Sequence, residues 1–302
     1  MTGAGRTRAP AISVVLLVIS ALIFSTGGLF VRSLEHPQAW TTVFWRSFAA
    51  CVSLSLLIVW RERGNWAQSI ASVRGPGAIV AMTFSASSIA MVVALSRTSV
   101  AIVLVIFSLS PLAAALLAWI FLRERVPNYT WLAIAITVGG VVFMVSGQGS
   151  SSSLSGILVA LTIPLAFGSG IVMIRRHREI SMLPAMLVGA AMSFVISIPF
   201  AHPLEVTRHD FFLLLVFGGA QLGVGLAVFS IGAPKVPATE VALLSMLEPI
   251  AGPIWVWVFK DEYPGVPALI GAGIVFGALA AHTVYASSQS ASQPTRALAE
   301  VR

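Results

Sequence analysis

Ser110-Pro111-Leu112-Ala113-Ala114-Ala115-Leu116-Leu117-Ala118-Trp119-Ile120-Phe121-Leu122-Arg123-Glu124 returns 138 residues later as Glu248-Pro249-Ile250-Ala251-Gly252-Pro253-Ile254-Trp255-Val256-Trp257-Val258-Phe259-Lys260-Asp261-Glu262. Without a gap, Pro111 meets Pro249, Trp119 meets Trp257, Phe121 meets Phe259 and Glu124 meets Glu262; Gly139 meets Gly277 at the same offset. Earlier in each copy, Phe24, Gly27 and Arg32 lie over Phe167, Gly170 and Arg175 with a few residues' shift. A Ser-rich stretch, Ser150 to Ser155, separates the copies. The chain therefore reads as one unit written twice, over 11–146 and 154–286, with a linker at 147–153 and a polar, disordered tail at 287–302.

Composition fixes the solvent. Of 302 residues, 57% are hydrophobic and 10% charged, and the mean hydropathy is +0.94. Soluble domains carry about 25% charged residues, so this chain lacks the means to cover a water-facing surface. Apolar runs of 18 or more residues recur, each long enough to cross about 30 Å of hydrocarbon. They are continuously apolar rather than alternating, which selects helices over a barrel. We place ten spans at 11–33, 39–60, 75–95, 99–122, 128–146, 154–174, 182–201, 210–232, 237–259 and 265–286. The first follows Arg6 and Arg8 but runs on for about twenty residues without a cleavage site, which identifies a retained helix rather than a signal peptide.

The cations set the orientation. With the N-terminus cytoplasmic, the inner segments hold thirteen Lys and Arg residues, among them Arg61, Arg123, Arg175 and Lys235. The outer segments hold Arg32, Arg97, Arg208 and Lys260, and Arg46 stays inside a span. The bias supports an even number of spans with both termini cytoplasmic. Five helices per copy is an odd number, so the second copy enters the membrane from the opposite side. The fold class expected is an all-α membrane protein of two inverted five-helix repeats, an architecture usual for secondary transporters with a substrate site near the midplane.

A small-residue-rich helix with a proline in it, then Phe121-Leu122-Arg123-Glu124-Arg125 and a Gly-rich helix, resembles the EamA domain of the drug/metabolite transporter superfamily. Phe259-Lys260-Asp261-Glu262-Tyr263 matches the same pattern more loosely, and Phe44-Trp45-Arg46 resembles the family's arginine near the start of the second helix. Phe24 departs from it, because many members have tryptophan there. The resemblance covers residues 11–286 and implies movement of small metabolites, amino acids or drugs, often outward.

Charges at membrane depth cost about 2.5–3.5 kcal/mol each on insertion scales, so each asks for a reason. Glu248 stands mid-span directly before Pro249, where it would take up a proton, meet a cationic group or bond neighbouring helices. Glu240 lies near the cytoplasmic end of the same span, as a transport residue or a helix cap. Arg46 has three readings: snorkelling to headgroups, pairing with Glu35, or binding an anionic group. Gln221, amid Gly218, Gly219, Gly223 and Gly225, needs a hydrogen-bonding partner. Ser85, Ser87, Ser88, Ser108 and Ser110 either line the same cavity or bond their own helices. The site expected comprises Glu248, Arg46, Gln221, Ser88, Ser110 and Glu240. Glu124 and Glu262 read as pins of loop geometry, and His282 as interfacial. The interior of the spans holds no tyrosine, Tyr129 and Tyr285 lying at span ends, so no stacking cage is expected.

Enzymatic signals are poor. Gly168-Ser169-Gly170 has no histidine at matching depth, no His/Cys/Asp/Glu group has metal-ligand spacing, and no phosphate-binding loop occurs. Neither a cofactor nor a metal is expected. Cys51 allows no internal disulfide, and the sequon at Asn128 lies beside the membrane on the inner side. The pI of 10.7 comes from short basic clusters between spans, so no nucleic acid is expected. The reading is a multi-pass protein of the cell membrane that moves a small solute, with protons as a coupling candidate, as a monomer or homodimer. Its rival is a non-transporting membrane protein, such as a lipid-handling enzyme or receptor scaffold.

Overall fold

The computed structural model describes residues 11–62, 64–123, 126–146, 153–177, 182–236, 241 and 244–299, and every regular element among them is helical. The first copy forms α1 (Ala11–Ser25), α2 (Gly27–Ser33), α3 (Ala39–Glu62), the short α4 (Trp66–Ala71), α5 (Pro76–Leu95), α6 (Val100–Phe107), α7 (Ser110–Leu122) and α8 (Asn128–Ser146). The second forms α9 (Leu154–Arg176), α10 (Met182–Ser197), α11 (Arg208–Val216), a π-helix (Phe217–Val224), α12 (Gly225–Gly232), α13 (Leu247–Lys260) and α14 (Val266–Ala299). Seven continuous runs among the described residues are long and apolar enough to cross a membrane, and the bent pair α6–α7 makes an eighth. In the remaining two expected spans the described helices are shorter, 16 residues in α10 and 14 in α13. The backbone stays helical to Ala299, where the sequence suggested an irregular tail.

The repeated stretch opens on a helix break rather than lying inside one straight span. Ser108 and Leu109 form a turn, and α6 and α7 are bent by 40°. Pro111 lacks an N–H, so it cannot bond the Phe107 carbonyl one turn earlier. The Ser110 hydroxyl donates to that carbonyl instead, at 2.5 Å. At the same offset of 138 residues, Met246 is again a turn before α13. The far ends also correspond: Arg123 and Asp261 close α7 and α13 in left-handed conformations, at φ 55° and 53°. A non-glycine residue there costs about 1–2 kcal/mol; finding it at both positions ties the bend to the shared sequence.

The core is centred on α6, whose residues Val100 to Ile106 are all buried. α9 runs along α5, α6 and α7, and α10 along α3 and α5. The π-helix lies on α3, α12 on α1, and α13 on α1, α2 and α6, while α14 packs on α8. Large apolar side chains cover the outside: Leu56, Val142 and Phe212 are 66%, 62% and 65% exposed. Water would oppose such a surface, and lipid accepts it.

Candidate functional site

A cavity of about 120 Å³ opens where α1, α2, α3, α5, α6, α9, the π-helix and α13 converge, and four of the six expected site residues line it: Arg46, Ser88, Gln221 and Glu248.

Arg46 projects from α3 and is only 9% exposed, so it neither snorkels nor pairs with Glu35. Its Nη1 donates to the Ser88 hydroxyl on α5 at 2.8 Å. Its guanidinium carbon lies 4.6 Å from the centre of the Phe217 ring, a cation–π contact. Its Nε is buried without a partner. Backbone packing holds it there: a Cβ on Gly218 would overlap the Arg46 carbonyl oxygen, so only glycine lets the π-helix approach α3 this closely.

Gln221 sits within the π-helix, whose wider turn re-aims side chains and often marks a functional position. Its Nε2 donates to the Phe24 carbonyl at 2.8 Å. Gly27 leaves space for that amide, since a Cβ there would meet Nε2 at 2.8 Å. A carbonyl accepts only from the NH₂ group, which fixes the orientation of the amide. Oε1 is thereby left buried and unpartnered.

Glu248, in the first turn of α13, occupies the position that Ser110 holds in α7. Ser110 bonds back across the bend to the end of α6, but Glu248 lines the cavity. α13 is tied to α1 by the Trp255 indole, which donates to the Ser25 hydroxyl at 2.8 Å.

The lack of tyrosine in the interior of the spans predicts no aromatic cage, yet phenylalanine supplies an aromatic wall: Phe24, Phe84, Phe107, Phe167 and Phe217 all line the cavity. Phe107 and Phe167 meet edge to face at 5.5 Å, and Phe30 stacks behind Phe217 at 5.4 Å. Two of these rings, Phe24 and Phe167, are matched positions of the two copies, although that match did not mark them as site residues. Ser87 also faces the cavity.

A second polar centre brackets one end of the bundle. Glu262 pairs with Arg32 and accepts from the Val100 amide at 3.1 Å. Arg32 also donates to the Leu95 and Thr98 carbonyls at 2.7 and 2.8 Å.

The EamA-like transporter family model matches the chain twice, over residues 11–146 and 154–283. The chain belongs to that family. It is a non-enzymatic, multi-pass membrane transporter. It is similar to three Bacillus subtilis proteins, each named an uncharacterized transporter. YxxF is 22% identical, covering 89% of this chain and 88% of its own length. YwfM is 24% identical over 86% and 89%, and YojE 22% identical over 72% of each. A crystal structure with 17% identity superposes with a TM-score of 0.63 over 91% of this chain and 98% of its own, a likeness of fold.

Other expected residues of this EamA-like transporter lie elsewhere. Ser110 is buried at the α6–α7 bend and does not line the cavity. Ser108, in the turn, bonds the Val105 carbonyl of α6. Ser85 bonds Ser193 of α10 at 2.9 Å and lines a separate apolar groove. Glu240 and Glu124 fall outside the described residues. His282 bonds the Thr130 hydroxyl of α8 at 3.0 Å.

One group not expected from spacing is Glu35, His209 and Asp210, whose potential ligand atoms lie within 4.8 Å of one another. Asp210 already accepts from the amides of Glu35 and His36, at 2.9 and 3.1 Å. The group therefore braces the corner between α2 and α11, and the sequence separation of 174 residues between His36 and Asp210 hid it.

Proposed function

We propose that this EamA-like transporter is a secondary transporter of the cell membrane that exports small metabolites such as amino acids or drugs by alternating access. The observation that carries the reading is the cavity at the meeting of the two copies, which combines Arg46 and Glu248 with phenylalanine walls. Opposite charges in an apolar setting suit a solute with polar ends and a greasy body, and buried charges of this kind cluster on transport pathways.

The ten-span inverted topology, with both termini cytoplasmic, is part of the proposal. The pattern of helix packing supports it. Exchanging the copies turns α5 against α9 into α12 against α1. The same exchange turns α10 against α5 into α3 against the π-helix, and α7 against α9 into α13 against α1. The pairs α3–α10 and α8–α14 map onto themselves. Contacts that survive exchange are what a two-fold relation requires, and such a relation lets one half rock against the other around a fixed site.

Glu248 is the coupling candidate for protons. The test is flux in proteoliposomes over amino acids, nucleosides, sugars and cationic drugs, with wild type and Glu248→Gln compared across pH. Solute-specific flux whose pH dependence disappears in the variant is expected. No responsive solute across the panel would sink the transport mechanism, whereas unchanged pH dependence would remove Glu248 from coupling alone.

A further inference from the structure

α5 has two lined faces. It turns Phe84, Ser87 and Ser88 to the central cavity, and Ser85, Ala86 and Ala90 to an open groove of about 630 Å³ that it shares with α3, α9 and α10. The groove follows from side-chain size. Ser85 and Ala90 make a buried floor, and the bulkier Met82 and Ile196 flank it in exposed positions. The Ser85 hydroxyl is already bonded to Ser193, so it offers little to a polar solute. From Met82 to Val93, α5 advances about 16 Å. Half of a hydrocarbon core about 30 Å thick is nearly the same length, so the groove runs the depth of one leaflet.

One end differs in chemistry. Arg97, two residues beyond α5, lines the groove and is exposed. No acidic side chain among the described residues forms an ion pair with it: Glu262 is held by Arg32, Asp210 lies against His209, and Glu205 faces His202. The first turn of α9 abuts it, since a Cβ on Gly156 would meet the Arg97 Cβ at 2.9 Å. That turn carries no acidic residue, so the helix dipole adds to the positive potential. Trp40, at the start of α3, lines the same end and packs on Phe200 at 4.8 Å. Tryptophan favours the headgroup level of a bilayer.

An apolar channel one leaflet deep that ends in an uncompensated cation is complementary to an amphiphile with an acyl chain and an anionic head. We infer that this groove is a binding site for an anionic phospholipid, with one acyl chain along α5 and the headgroup phosphate at Arg97. A zwitterionic headgroup brings its own cation to Arg97 and forfeits most of the attraction. A second copy packed symmetrically on this face would bring another Arg97 to it, which disfavours that occupant.

The experiment is native mass spectrometry of the full chain in detergent, incubated with equal amounts of dioleoyl phosphatidylglycerol and dioleoyl phosphatidylcholine. Wild type should retain phosphatidylglycerol over phosphatidylcholine by about fivefold, as one cation near an anionic lipid provides. Arg97→Gln should bring that ratio close to one. Lys260→Gln removes an exposed cation off the groove and should leave the ratio standing. Ala86→Phe, which fills the groove, should lower retention of both lipids several-fold, with circular dichroism and thermal unfolding confirming that it folds. Equal retention of the two lipids by wild type would overturn the inference, as would a ratio that Arg97→Gln leaves intact or Lys260→Gln lowers as much. Release of the lipid by inorganic phosphate at equal concentration would reduce the site to a simple anion site. A lipid-free dimer that Ala86→Phe dissociates would assign the face to a second copy. If Ala86→Phe does not fold, the ratios of the other three proteins decide.

Discussion

Glu262, just beyond α13, holds Arg32 at the end of α2 in an ion pair, although 230 residues separate them in the chain. The pair is no surface decoration: the side chains are 26% and 27% exposed, and the Val100 amide and the Leu95 and Thr98 carbonyls join it. It ties the ends of α2, α5 and α13 to the start of α6. Glu262→Gln should therefore lower stability by about 1–3 kcal/mol, the cost of weakening a charged hydrogen-bond centre. The exchange Arg32→Glu with Glu262→Arg should recover only part of the loss. The reversed pair restores the attraction, but glutamate cannot donate to the two carbonyls and arginine cannot accept from Val100. Thermal unfolding of the purified proteins in one detergent checks this, and complete recovery would show that charge alone matters.

Gly218 and Gly139 make a matched test of close packing. A Cβ at Gly218 would overlap the Arg46 carbonyl oxygen, while one at Gly139 would meet nothing within 4 Å. Gly218→Ala should cost about 1–3 kcal/mol or more, as overpacking does, and should displace Arg46 from the cavity. Gly139→Ala should be neutral or slightly stabilising, because alanine is the better helix former. Equal melting temperatures for the two variants would contradict the packing described between α3 and the π-helix.

Ser110→Ala separates structure from solute recognition. Its hydroxyl covers the carbonyl that Pro111 leaves free, so its loss should lower stability by about 1 kcal/mol. Solute affinity should stay within twofold of wild type, because Ser110 does not line the cavity. A large affinity change at unchanged stability would return Ser110 to the site.

Ser85 and Ser193 bond each other across α5 and α10. A double-mutant cycle to alanine should give a coupling of about 0.6 kcal/mol, the average for interhelical hydrogen bonds in a membrane. Additive losses would mean that the hydroxyls bond only their own helices.

The proposed topology predicts that reporters fused at both termini report the cytoplasm. Green fluorescent protein should fluoresce at either end, and alkaline phosphatase should be inactive at either end. Opposite results at the two ends would require an odd number of spans.

Hydropathy alone determined that this is a helical membrane protein, because lipid imposes a length and an apolarity that show directly in composition. The self-match at 138 residues extends to local detail that the straight spans did not anticipate: the turns at Ser108 and Met246 and the left-handed ends at Arg123 and Asp261 fall in register. These features depend on near neighbours, and near neighbours are visible in sequence. The cost of intramembrane charge singled out Arg46 and Glu248 before any fold was known, and the need of a buried amide for a partner singled out Gln221; all three line one cavity. Tertiary structure alone decided what they face. Ser85 and Ser88 stand one turn apart on α5, and nothing in their spacing tells which partner each will meet. Ser88 joins Arg46 of α3, while Ser85 joins Ser193 of α10. The phenyl wall and the Arg32–Glu262 pair each need helices distant in the chain to be packed side by side. Hydrophobicity drives a helix into lipid, but the fit of small residues between helices chooses its neighbours, and that fit is a property of surfaces rather than of strings.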